Sequence, residues 1–148
     1  MNDPDAVPPR LTGLSTYLLS RVGKAARTAL GERLAERGLR LWHMAVLAAL
    51  DDFGPHAQRD LAARLRIDPS DLAKAVDQLA AAGQVERSRD PADRRRVSVT
   101  ITPVGRAALA ELDGEARQVQ EELLAPLDPA ERAQLHALLG RIFDALPR

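Results

Sequence analysis

Residues 58–102 read QRDLAARLRIDPSDLAKAVDQLAAAGQVERSRDPADRRRVSVTIT. Within residues 58–66, Leu61, Ala62 and Leu65 fall on one helical face. Asp68-Pro69-Ser70-Asp71 then starts a second helix. Asp68 can accept backbone N–H groups as N-cap, and Pro69 fits the first helical position, where its missing N–H costs nothing. Asp71 adds a negative charge at the positive helix end. The helix extends to about Ala82, and Gly83 stops it. Residues 84–88 and 97–101 read as two strands. In the second, Val97, Val99 and Ile101 alternate with Ser98 and Thr100, the period of a half-buried strand. The polar link at 89–96 contains Asp90-Pro91 and reads as a loop.

At about 100° per residue, the second helix buries Leu72, Ala75, Val76 and Leu79. It turns Ser70, Lys74, Asp77, Gln78 and Ala81 outward. Two helices joined by a tight turn make a helix-turn-helix, whose second helix lies in the major groove with polar side chains toward base edges. An ordinary solvated helix face has the same pattern. The hairpin that follows favours the DNA reading, because Arg94, Arg95 and Arg96 sit at its tip. An arginine on such a wing is drawn to the negative potential of a narrow minor groove.

Outward from this unit the chain is helical. Residues 1–10 hold three prolines and two aspartates and read as a flexible tail. Over residues 11–37, Leu11, Leu14, Leu18, Val22, Ala25 and Ala29 form one stripe, which predicts a single long helix. Residues 41–53 predict a helix with Leu41, Met44, Leu47 and Leu50 inward, ended by Gly54-Pro55. Thr102-Pro103 repeats the cap-then-proline start, for a helix to about Ala125. Asp128-Pro129-Ala130-Glu131 opens a last helix, whose stripe is Leu135, Leu138, Leu139, Ile142, Phe143 and Leu146. The expected class is mainly α with a small β-hairpin wing. Residues 41–102 form the winged lobe, and residues 11–40 and 103–148 form a helical region around it.

Composition narrows the function classes. The 148 residues have zero formal net charge and 3% aromatic content. Residues 58–96 carry nine Lys/Arg against seven Asp/Glu, and residues 103–148 carry five against eight. The Arg94–Arg96 cluster is the concentrated positive feature. Without cysteine there is no disulfide, thiol sensor or Cys-based zinc site. His43, His56 and His136 are scattered, so no metal site is expected. No cofactor motif or catalytic set is present, and Asp51-Asp52 and Glu121-Glu122 read as solvated helix residues. No apolar run is long enough for a membrane span and no signal-peptide pattern begins the chain, so a cytoplasmic location is the expectation.

LAARLRIDPS, VDQLAAAGQVER and above all DPADRRRVSVTITPVG resemble the MarR family of winged helix-turn-helix transcriptional regulators. That family's wing pattern is matched by Asp93, Arg95, Ile101, Thr102 and Gly105. The resemblance implies a homodimer whose first and last two helices interlock, presenting two winged lobes to a palindromic operator in double-stranded DNA. It places Arg95 in the minor groove with Asp93 positioning it, and Ser70, Lys74 and Gln78 at recognition-helix contact positions. Many relatives have Thr and Arg in mid-helix and Arg further on; here Ala73, Lys74 and Gln78 stand there, so the reading surface is milder. The expected DNA-facing set is Ser70, Asp71, Ala73, Lys74, Asp77 and Gln78 on the helix, and Asp93, Arg94, Arg95 and Arg96 on the wing.

Many members of that family are repressors released by small aromatic or anionic ligands bound between the dimerisation helices and the DNA-binding lobe. Tyr17, Arg21, Trp42 and His43 would line that region here. Aromatic walls with one cation suit an aromatic carboxylate; the plainer reading, which the residues favour, is that Trp42 and His43 pack the junction and Arg21 is solvated. The alternative to a regulator is a winged-helix protein–protein adaptor that never contacts DNA.

Overall fold

The computed structural model describes residues 3–148. Its elements run α1 (Pro9–Thr12), α2 (Ser15–Glu36), α3 (Leu41–Phe53), β1 (His56–Ala57), α4 (Gln58–Leu65), α5 (Pro69–Ala81), β2 (Val85–Arg89), β3 (Val97–Ile101), α6 (Pro103–Leu123) and α7 (Pro129–Asp144). The chain is mainly helical, with one antiparallel sheet of order β1-β3-β2.

The core lies inside the winged unit and reaches into the flanking helices. Leu61 from α4, Leu72, Val76 and Leu79 from α5, Val85 from β2 and Val99 from β3 meet Val46, Leu47 and Leu50 of α3. Leu34 near the end of α2 and Leu112 of α6 complete the same cluster. Burying a Leu or Val side chain contributes about 1.5–3 kcal/mol, so this cluster is what fixes α5 in place. The buried set of α5 is Leu72, Ala75, Val76 and Leu79, as its helical wheel predicts.

Four local expectations change. The long helix expected over 11–37 is two helices, broken where Thr12-Gly13, poor helix formers, meet an extended Leu14. Met1 and Asn2 of the expected tail lie outside the described residues, and Pro9 and Arg10 of that tail already belong to α1. In α3 the inward face is His43, Val46, Leu47, Ala49 and Leu50, while Leu41 is exposed. This helix is surrounded by neighbours rather than packed on one side, so a single stripe misjudges it. Finally, β1 was not expected. It pairs His56 with Val99 and Ala57 with Ser98, and two residues are too few to show a period.

The two ends of the chain contrast with this core. Leu18, Leu19 and Val22 on α2 are exposed, as are Leu14 at its N-cap and Leu138, Leu139, Ile142 and Phe143 on α7. No residue of α7 is buried. An apolar stripe at helical spacing thus exists on both elements and is covered by nothing in the single chain.

Candidate nucleic-acid interface

The turn between α4 and α5 is set by backbone geometry. Arg66 closes α4 in the left-handed region, with φ 53°. Two residues later Asp68 caps α5: its Oδ1 accepts the Ser70 backbone N–H at 2.9 Å and the Ser70 hydroxyl. Those hydrogen bonds, the hydroxyl's first, hold the Asp68 carboxyl below its ordinary value. The Ser70 hydroxyl is therefore engaged in the cap.

The outer face of α5 carries the other expected residues. Asp71, Lys74, Asp77 and Gln78 are exposed and Ala73 is half-buried. Lys74 makes no ion pair among the described residues. Asp77 pairs with Arg87 of β2. Arg87 also donates from Nε to Gln58 Oε1 at 3.1 Å and from Nη2 to the Ala73 carbonyl at 3.2 Å. It thereby ties the start of α4, the middle of α5 and the wing strand together, and it cancels a negative charge on the face turned outward. Sequence reasoning missed Arg87. Its signal was alternation: Val85 and Arg87 share a strand face, and Val85 is buried against the core.

Gln78 is also held. The Arg40 backbone N–H donates to His43 Nδ1 at 2.9 Å, and His43 Nε2 lies 2.6 Å from Gln78 Oε1. His43 is 2% exposed. The His43 backbone N–H in turn donates to the Arg40 carbonyl at 3.1 Å, so this histidine links the start of α3 to α5.

The wing tip is organised by aspartates. Asp90 Oδ1 accepts the Ala92 N–H at 2.9 Å, and Asp93 Oδ1 accepts the Arg95 N–H at 3.0 Å. The Asp90 N–H donates to the Arg96 carbonyl, and the Arg96 N–H to the Asp93 carbonyl, each at 2.9 Å. Such Asx turns pin a tight loop without a glycine. The Arg96 side chain turns back to Asp60 of α4 at 3.0 Å. Arg94 and Arg95 are exposed and make no ion pair among the described residues. The wing thus presents two arginines outward and uses the third to brace itself.

The four residues expected around a ligand fall into two pairs. Arg21 donates to the Tyr17 hydroxyl at 3.2 Å, with its guanidinium 5.9 Å from the ring centre. The Arg40 guanidinium stands 5.0 Å over the Trp42 ring, and Trp42 neighbours His43 with centroids 6.4 Å apart. A separate groove of about 1400 Å³ opens between α2, α6 and α7. Leu18, Leu19, Val22, Val119, Leu124 and Leu139 line it, with Arg27 and His136 among its polar members. None of the four expected residues lines this groove, although Leu41, next to Trp42, does. Among the described residues no cluster of His, Cys, Asp or Glu is placed to hold a metal, and no helix is long and apolar enough to cross a membrane.

The family model described as MarR matches residues 41–97, which span α3 to the start of β3. The transcriptional regulator PecS of Dickeya dadantii is 31% identical over 127 residues, which are 84% of this chain and 76% of PecS. The chain belongs to the MarR family. The transcriptional repressor NicR of Pseudomonas putida is 29% identical over 141 residues, 95% of this chain and 89% of NicR. BpsR of Bordetella bronchiseptica superposes with a TM-score of 0.73 at 31% identity, covering 95% of this chain and all of that one. The BpsR structure concerns regulation of its DNA binding by 6-hydroxynicotinic acid. As a MarR-family protein, this chain is a winged-helix, DNA-binding transcriptional regulator. The family consists of regulators rather than enzymes, and no observation favours an adaptor that avoids DNA.

Proposed function

We propose that the protein is a homodimeric repressor of a palindromic operator, released by a small aromatic acid. The observation that carries this reading is the uncovered apolar surface at both ends of the chain. The winged lobe has a complete core, yet Leu18, Val22, Ile142 and Phe143 are about half exposed or more, at 46%, 50%, 53% and 73%. A soluble monomer rarely leaves so continuous an apolar face in water. A second copy placing its α7 beside α2, α6 and α7 of the first would cover it. Two lobes related by a two-fold axis would meet half-sites about one helical turn apart, roughly 34 Å.

The residues read as facing DNA act in two ways. Lys74, Arg94 and Arg95 would neutralise phosphates or enter the minor groove. Ser70, Asp71, Ala73, Asp77 and Gln78 would shape the surface that meets base edges, with Asp93 and Arg96 setting the wing. For the ligand, Arg21 is the cation we assign to a carboxylate, with Tyr17 and Trp42 as ring contacts. The 6-hydroxynicotinic acid of BpsR makes a hydroxylated pyridine or benzene carboxylate the compound class to try first. His43 has both ring nitrogens engaged, so its part there would be packing. A ligand that binds better to a form with a different lobe spacing shifts the population away from DNA.

The test is sedimentation of the full chain beside an Ile142→Glu/Phe143→Glu variant. Both positions are exposed in the single chain, so the variant keeps its fold. The expected result is a dimer for the parent and a folded monomer with lost operator affinity for the variant. An unchanged dimer would contradict the assignment of α7.

A further inference from the structure

We infer that His43 is a positioning residue for base readout, fixing the Gln78 side-chain amide so that Gln78 meets DNA as a hydrogen-bond donor. This rests on the reading that the outer face of α5 lies in the major groove. The Arg40 backbone N–H donates to His43 Nδ1 at 2.9 Å, so that nitrogen carries no proton and the ring proton is on Nε2. Nε2–H then points at Gln78 Oε1, 2.6 Å away. Flipping the amide would set its NH2 against Nε2–H, donor against donor. With His43 2% exposed, no bulk water relieves that clash. The amide is locked with oxygen inward and NH2 outward.

A freely rotating glutamine reads adenine with both ends of its amide, accepting from N6 and donating to N7. With its oxygen drawn to His43, Gln78 offers N–H groups first. In the major groove guanine presents two acceptors, N7 and O6, and thymine presents O4. Cytosine presents a donor at N4. The base opposite Gln78 is therefore guanine or thymine in preference to cytosine, and a residue buried in another helix sets that preference.

Selection from a randomised duplex library tests this with the full-length protein and three variants. In His43→Asn, the side chain still accepts the Arg40 N–H but is too short to reach Gln78. Gln78→Glu still accepts from His43 but turns an acceptor outward, and Gln78→Ala removes the contact. The parent is expected to favour guanine or thymine over cytosine at one position per half-site, on the order of tenfold, the scale of one base contact. Gln78→Glu should move that position toward cytosine or adenine. Gln78→Ala should flatten it, and His43→Asn, which frees the amide to rotate, should move it toward adenine; both should leave the other positions unchanged. Unaltered base preferences in His43→Asn, with only stability or overall affinity lowered, would overturn the positioning role. Unaltered preferences in both Gln78 variants would overturn readout by Gln78, without touching the His43 cap. If the parent itself enriches no sequence, the regulator reading beneath fails instead.

Discussion

Gly105 carries a constraint that no side chain can meet. A Cβ built there would lie 2.0 Å from the Gln84 carbonyl oxygen and 2.8 Å from Ile101 Cγ1. The close approach has a purpose: Thr102 donates its hydroxyl to the Gly83 carbonyl at 2.5 Å, accepts the Gly105 N–H at 3.1 Å, and donates its own N–H to the Gln84 carbonyl at 3.0 Å. Together these contacts fasten the first turn of α6 to the chain leaving α5. Gly105→Ala should destabilise the fold by about 2 kcal/mol or more, the cost of overpacking a site that cannot yield, seen as a lowered urea midpoint. An unchanged midpoint would show that the backbone gives way freely. Thr102 and Gly105 stand out in the sequence as a pattern, but its cause lies in Gln84, on the opposite side of the wing. Arg87 and His43 were less legible still. Their partners sit on other helices, and an arginine on a strand or a histidine on an apolar helix does not announce which residue it will bond.

At the scale of elements, the helix starts were readable because they are chemical. Asp68-Pro69, Thr102-Pro103 and Asp128-Pro129 each cap in the structure as their side chains dictate. The wing was readable from the alternation in β3, though β3 turned out to be the central strand, with β1 on its far side. What the three consecutive arginines at its tip would do was not separable in one dimension. The fold separates them by pairing Arg96 with Asp60 and leaving Arg94 and Arg95 outward. Arg95→Ala should weaken operator binding and lower the slope of log affinity against log salt by about 1, the loss of one phosphate-neutralising charge. Arg96→Ala should change that slope less, since its charge already has a partner. Fluorescence anisotropy over a salt series reads both. An unaltered slope for Arg95→Ala would remove the wing from the contact.

The whole molecule is joined by a clamp between α2 and α6. Arg33 reaches Glu115 at 3.1 Å and also pairs with Glu122, while Arg37 reaches Glu111 at 2.8 Å and Glu115 at 3.0 Å. Hydrogen bonds from Arg37 and then Arg33 hold the Glu115 carboxyl below its ordinary value. A carboxyl whose folded value is depressed stabilises the fold fully above the unfolded value. It loses that contribution as pH falls through the folded value. Stability should therefore decline below about pH 4, and Glu115→Gln should flatten the decline in acid unfolding curves. An identical decline in the variant would place the acid sensitivity elsewhere. Beside the clamp, Leu34 and Leu112 of the same two helices enter the core of the winged unit. Apolar stripes on α2 and α7 were plain in the sequence. That they remain open in one chain was not, because a stripe shows that a face is apolar without showing what covers it.

Two such chains, sharing those faces, would read DNA as a symmetric pair. Selection of bound duplexes from a random library by the full-length protein tests that claim most directly. The expected result is an inverted repeat, with half-sites centred about 10 base pairs apart and an A·T-rich stretch where the wings lie. Enrichment of a single unrepeated half-site, or of no sequence at all, would contradict it.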